Sequence, residues 1–161
     1  LGHLGIQYAN KLGFNTVALS RGKQKEELAR ELGAHFYIDT ATANVGEELA
    51  KLGGARVILA TAPNSKAITE LVDGLSKHGK LLIAAASGEP LEVSPLQLLL
   101  FGRSVEGWYS GTGKDSEDTL KFSALTGVRP RIETFRLEQV NEAYEHMISG
   151  QARFRAVLKM S

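Results

Sequence analysis

The feature that most constrains this chain is the regular alternation of strand-like and helical segments over its first 110 residues. Apolar residues at helical spacing mark helices at residues 4–12, 25–32, 45–52 and 65–77. In the second, Leu28, Ala29 and Leu32 share one face, and Gly33 stands where a C′ glycine ends a helix. The third turns Val45, Leu49 and Leu52 inward, and the fourth turns Ile68, Leu71, Val72 and Leu75. Short apolar runs at residues 15–19, 35–39, 56–60, 80–86 and 104–109 read as strands. The run at 80–86 is almost continuously apolar, as in a parallel strand buried on both faces. Strands alternating with helices of about ten residues predict parallel βαβ units with right-handed crossovers.

The remaining tail predicts a helix near residues 116–126, a strand at 131–136, a helix at 138–149 and a strand at 154–159. Val128-Arg129-Pro130 is the best candidate boundary, giving a nucleotide-binding unit over residues 1–128 and a C-terminal segment over 129–161. The expected architecture is α/β, a doubly wound parallel sheet of the Rossmann type. At 161 residues the chain suits one domain with a sizeable core.

Composition excludes several classes. Nineteen basic residues against eighteen acidic ones leave a net charge of +1, which gives no support to nucleic-acid or acidic-membrane binding. No apolar run approaches the roughly 20 residues of a membrane span. With no cysteine, neither a disulfide nor a thiolate metal site is possible in these residues. The four histidines, His3, His35, His78 and His146, show no ligand-like pairing. A cytoplasmic location is the working expectation.

A nucleotide-binding βαβ unit joins its first strand to a helix through a glycine-rich turn, and the pyrophosphate sits at the helix N-terminus. Here Leu1 and Gly2 precede the first helix, and Gly2 suits the third glycine of that fingerprint. The first strand and the other glycines would then precede Leu1, so the sheet is expected to lack its first strand. About 20 positions further on, at the end of the next strand, such folds place a residue against the adenosine ribose. That residue is Ser20, followed by Arg21-Gly22-Lys23-Gln24-Lys25. An acid there would repel a 2′-phosphate, whereas a small hydroxyl with nearby cations suits one, which favours NADP over NAD. The alternative is a solvated basic loop.

Gly2-His3-Leu4-Gly5-Ile6-Gln7-Tyr8-Ala9, Leu32-Gly33-Ala34, Gly79-Lys80-Leu81 and Gly150-Gln151-Ala152-Arg153-Phe154-Arg155 resemble, in order and spacing, the medium-chain zinc-dependent alcohol dehydrogenases. The NADP-using, cinnamyl-alcohol-dehydrogenase-like branch is the nearest in pattern. The resemblance runs over essentially the whole chain and implies a cofactor-binding part of a larger enzyme. It carries Leu1 and Gly2 to the glycine-rich turn, and Ser20, Arg21 and Lys25 to the adenosine 2′-phosphate. Thr61 and Ala85 are carried to the adenine-to-nicotinamide path, where the family often has Gly in place of Ala85. Trp108, Tyr109 and Ser110 are carried to the nicotinamide carboxamide, and Arg155 to the cofactor phosphates.

Each position has a plainer reading. Thr61 could be an ordinary strand-end hydroxyl, and Trp108 with Tyr109 core or dimer packing. Arg153 and Arg155 are expected on one strand, where at least one of them could simply face solvent. His3 is expected at the surface of a helix start, and Asp39 and Asp115 as turn or cap residues.

The resemblance further implies zinc as a Lewis acid beside the nicotinamide, with ligands outside this chain. It also implies a small alcohol or aldehyde substrate. No catalytic residue is assigned, and the chain alone is expected to be inactive. A homodimer is expected through the edge strand at residues 104–109, with the leucine-rich residues 96–101 needing cover. The competing readings are a zinc-free quinone or enoyl reductase and a non-catalytic module that senses NADP(H).

Overall fold

The computed structural model describes residues 1–160. The order is α1 (Gly2–Lys11), β1 (Val17–Ser20), α2 (Glu26–Glu31), β2 (Phe36–Asp39), α3 (Val45–Lys51), β3 (Ala55–Ala60), α4 (Ser65–Glu70) and β4 (Leu75–Ile83). Then follow α5 (Pro95–Leu99), β5 (Ser104–Gly107), α6 (Gly113–Thr126), β6 (Ile132–Arg136), α7 (Val140–Ile148) and β7 (Arg155–Lys159). Every strand pair is parallel: β1 with β2, β3 with β4, β4 with β5, and β6 with β7.

Local chemistry explains most boundaries. The side chains of Asn44 and Asn64 accept hydrogen bonds from the Glu47 and Ala67 amides and so cap α3 and α4. Thr112 and Asp115 form a reciprocal capping box at the start of α6, which fulfils the cap expected of Asp115. Gly33 follows α2 at φ +106°, a left-handed conformation that favours glycine.

The helix expected over residues 65–77 is corrected. Its α-helical part ends at Glu70, a 3₁₀ turn covers Leu71–Gly74, and β4 begins at Leu75. A Cβ on Gly74 would lie 2.5 Å from Leu49 Cδ1, so α3 packs directly on this backbone. Leu75 is buried as the first residue of β4, and it pairs with Ala55 before a register shift. The strand expected at 104–109 is also shorter, ending at Gly107.

The main core joins Ile38, Val45, Leu49, Ile58, Ile68, Val72, Leu75 and Leu81, with Val17 and Leu19 of β1 packed against it. The β1–β2 pair and the β3–β4–β5 sheet therefore share a core although no strand hydrogen bonds join them. α1 lies over both: Ile6 meets the cluster of Ala18, Ala29 and Ala34, while a Cβ on Gly5 would stand 3.2 Å from Leu59. Val57 and Leu59 on β3 remain 42% and 47% exposed.

A second face of α1 receives the C-terminal part of the chain. Gln7 donates to the Arg129 carbonyl at 2.9 Å and accepts from the Arg129 amide at 3.1 Å. Tyr8 bonds Ser123 at 2.6 Å, and its ring lies 5.8 Å from that of Phe122. These contacts seat α6 and the residues that follow it along α1.

Candidate functional site

Parallel strands bring their carboxyl ends to one edge, and α/β sheets of this kind bind ligands there. Ala60 is in register with Ile83, and Ile83 with Gly107. The pairing continues one step beyond the strands: Ala84 donates to Ala60 and Trp108 to Ile83, each at 3.0 Å. Thr61, Ala84, Ala85 and Trp108 thus leave the sheet side by side.

The start of α1 reaches the same edge. A Cβ on Gly2 would stand 3.4 Å from Thr61 Oγ1, so the first turn comes close to the end of β3. The leading amides of a helix have no carbonyl partner within it and suit an anion. His3, expected at the surface, is instead 4% exposed. Its ring stacks on Phe154 with centroids 4.6 Å apart, and its Nε2 accepts from the Arg131 amide at 3.3 Å. Its Nδ1 is buried with no partner among the described residues. Burial, together with the charges of Arg155 and Arg131, holds His3 below its usual pKa.

The two C-terminal arginines do not share a strand. Arg153 precedes β7 and turns its guanidinium onto the carbonyls of Gly150, Gln151 and Ala152. Arg155 begins β7, close enough to His3 to act on it electrostatically, and makes no ion pair among the described residues. This brings Leu1, Gly2, Thr61 and Arg155 to one neighbourhood.

Beyond β1 the chain turns at Gly22, φ +76°. The Gly22 amide donates to Asp39 Oδ1 at 2.7 Å, and the Tyr37 hydroxyl donates to the Gly22 carbonyl at 2.5 Å. Asp39 also accepts from the Ala41 amide at 2.9 Å. The Ala41 and then the Gly22 hydrogen bonds hold the Asp39 carboxyl below its ordinary range. Asp39 is a turn residue as expected, but it also reaches back to the loop that follows Ser20. Around this turn Arg21, Lys23 and Lys25 have no acidic partner within ion-pair distance among the described residues.

Trp108 and Tyr109 are 66% and 104% exposed, which excludes core packing within these residues. The Ser110 hydroxyl bonds only locally, to the Gly111 carbonyl at 3.3 Å. Of these three, Trp108 alone is tied to the strand ends. Sequence reasoning missed Tyr37 and the buried state of His3. The spacing of Tyr37 and Asp39 on one strand face was the available signal.

A cleft of about 310 Å³ lies elsewhere, lined by Gln7, Asn10, Lys11, Glu31, Gly33 and Arg129. It contains none of the cofactor-binding residues expected from the sequence. Among the described residues no three His, Asp or Glu groups converge to hold a metal. The strand-end region gathers a helix start and a strand-end hydroxyl, and the turn after Ser20 carries cations without acidic partners among the described residues.

Parallel strands alternating with helices, with polar groups gathered at the strand carboxyl ends, define an α/β protein. The family model described as zinc-binding dehydrogenase matches residues 1–125, and the chain belongs to that family. It is 48% identical over 160 residues to the alcohol dehydrogenase notN of Aspergillus sp. (strain MF297-2), covering 99% of this chain and 47% of that protein. Among solved structures it resembles a cinnamyl alcohol dehydrogenase from Sorghum bicolor, TM-score 0.84 at 27% identity, covering 100% of this chain and 47% of that one. The benzyl alcohol dehydrogenase of Acinetobacter calcoaceticus shares the fold, TM-score 0.89 at 21% identity over 99% of this chain and 47% of that one. The chain spans about half the length of these relatives.

Proposed function

We propose that this chain is the NADP(H)-binding part of a zinc-dependent alcohol dehydrogenase that interconverts small alcohols and aldehydes. The observation that carries the reading is the approach of the α1 start to Thr61 at the carboxyl end of β3, with a cationic turn following Ser20 at the carboxyl end of β1. Leu1, Gly2 and Arg155 would hold the pyrophosphate, and Ser20, Arg21 and Lys25 the adenosine 2′-phosphate. Thr61 and Ala85 would border the path towards the nicotinamide, with Trp108, Tyr109 and Ser110 at its carboxamide end.

When bound, the nicotinamide supplies hydride acceptance or donation; the residues here supply binding, orientation and electrostatics. No step through zinc follows from them, and the chain by itself is expected to lack activity. The separate edges of β1 and β3, with Val57 and Leu59 uncovered, support a further parallel strand seated between them. That would complete the doubly wound order over residues 1–128, leaving 129–161 as the segment that returns to a catalytic domain. A cytoplasmic homodimer belongs to the same reading.

The test is Arg21→Ala in the full-length protein. A charge-assisted hydrogen bond is worth roughly 1.5–3 kcal/mol, about 10- to 150-fold in affinity. NADPH binding should weaken by that order while NADH binding changes little. Equal loss for both would remove the 2′-phosphate role.

A further inference from the structure

We infer that Tyr37 and Asp39 are positioning residues for 2′-phosphate recognition, an inference that rests on the reading of Ser20, Arg21 and Lys25 given above. The two stand two positions apart on β2, so strand alternation turns both to the face opposite the buried Ile38. Tyr37 is in register with Ala18, and Asp39 with Ser20. The chain leaving Ser20 therefore folds back across these side chains.

Their contacts converge on one residue. Tyr37 donates its phenolic proton to the Gly22 carbonyl at 2.5 Å, and Asp39 Oδ1 accepts the Gly22 amide proton at 2.7 Å. Both backbone groups of Gly22 are thus held by side chains, at a φ of +76° that most residues adopt only with strain. Each holder is itself anchored. The Tyr37 ring packs against the cluster of Ala18, Ala29 and Ala34, and Asp39 Oδ1 also takes the Ala41 amide.

The grip fixes the direction in which the backbone carries Arg21 and Lys23, the two cations flanking Gly22. It also uses the Asp39 carboxylate on backbone amides, so that an acid beside a cationic loop forms no ion pair with it among the described residues. Neither Tyr37 nor Asp39 needs to touch the ligand. They set where Arg21 and Lys25 meet it, and a preformed loop loses less conformational freedom on binding.

The test compares 2′,5′-ADP with 5′-AMP as probes, titrated calorimetrically into the full-length protein and its variants. Tyr37→Phe keeps the ring in the alanine cluster and removes only the donated hydrogen bond. It should weaken 2′,5′-ADP by about two- to tenfold, the range of one net hydrogen bond, with 5′-AMP affected much less. Asp39→Ala should do the same or more, and Asp39→Asn, which keeps an Oδ1 acceptor, should restore the wild-type preference. Hydrogen exchange at the Gly22 amide should quicken in Asp39→Ala and not in Asp39→Asn.

If the wild type prefers 2′,5′-ADP and both probes weaken equally, or neither does, in Tyr37→Phe and Asp39→Ala, the positioning role is overturned while the 2′-phosphate reading stands. If the wild type binds both probes equally and Arg21→Ala changes neither, the 2′-phosphate reading itself is overturned, and this inference with it.

Discussion

His3, in the first turn of α1, stacks face to face on Phe154, the residue before β7, with centroids 4.6 Å apart and planes 9° from parallel. The pair joins the two ends of the described chain at the candidate site. Aromatic pairs add about 0.5–1.5 kcal/mol beyond the area they bury. Phe154→Leu should therefore cost on the order of 1 kcal/mol, and Phe154→Ala roughly 2–4 kcal/mol once lost burial is included. Urea unfolding midpoints read the difference. An Ala variant as stable as the wild type would mean that the stack carries no stability.

Glu133 ties three segments together. Its carboxylate accepts the Arg153 backbone amide and meets His146 Nε2 at 2.7 Å, linking β6, α7 and the approach to β7. The Arg153 amide first, and then His146, hold its pKa below the ordinary glutamate value. A carboxyl depressed in the folded state contributes stability above its unfolded pKa, and that contribution is lost as pH falls through the folded value. Wild type should consequently lose stability relative to Glu133→Gln between about pH 5 and about pH 3. Parallel stability profiles for the two proteins would contradict this.

Leu81 lies in the middle strand of its sheet at 0% exposure and belongs to the main core. Leu81→Ala should cost about 2–5 kcal/mol through lost burial and an incompletely collapsed cavity. Lys114→Ala, which removes an exposed helical pair with Asp118, should stay within about 1 kcal/mol of the wild type. Comparable losses for the two variants, measured by thermal unfolding, would mean that Leu81 is not part of a tightly packed core.

The dimer proposal rests on an uncovered apolar surface. Leu96, Leu99, Leu100 and Phe101 are exposed close to β5, which pairs only with β4 among the described residues. Trp108, just past the strand, adds to that surface. Sedimentation of the full-length protein should show a dimer, and Leu99→Glu should shift it towards monomer by placing a charge in an apolar contact. A wild-type monomer at high concentration removes the proposal.

How much of this could be read beforehand differs from element to element. The βαβ alternation, Gly33 at the end of α2 and the cationic run after Ser20 follow from spacing within a few residues. Leu75 shows where such reasoning stops. It matches the helical spacing of Ile68, Leu71 and Val72 and equally suits the first inward position of a strand. The packing of Leu49 against Gly74 decides between the two. Arg153 is similar: its place before β7 depends on Gly150 and the carbonyls it caps.

By itself the sequence determined the parallel α/β class, the absence of a thiolate metal site and the position of the basic turn. These follow from periodicity, composition and local turn chemistry. Only the tertiary structure decided that His3 is buried against Phe154, that Arg153 caps carbonyls before β7 while Arg155 stands near His3, and that Tyr37 and Asp39 grip Gly22. Each of those relationships joins segments far apart in the chain, and their geometry depends on how helices and strands pack rather than on what any short stretch prefers.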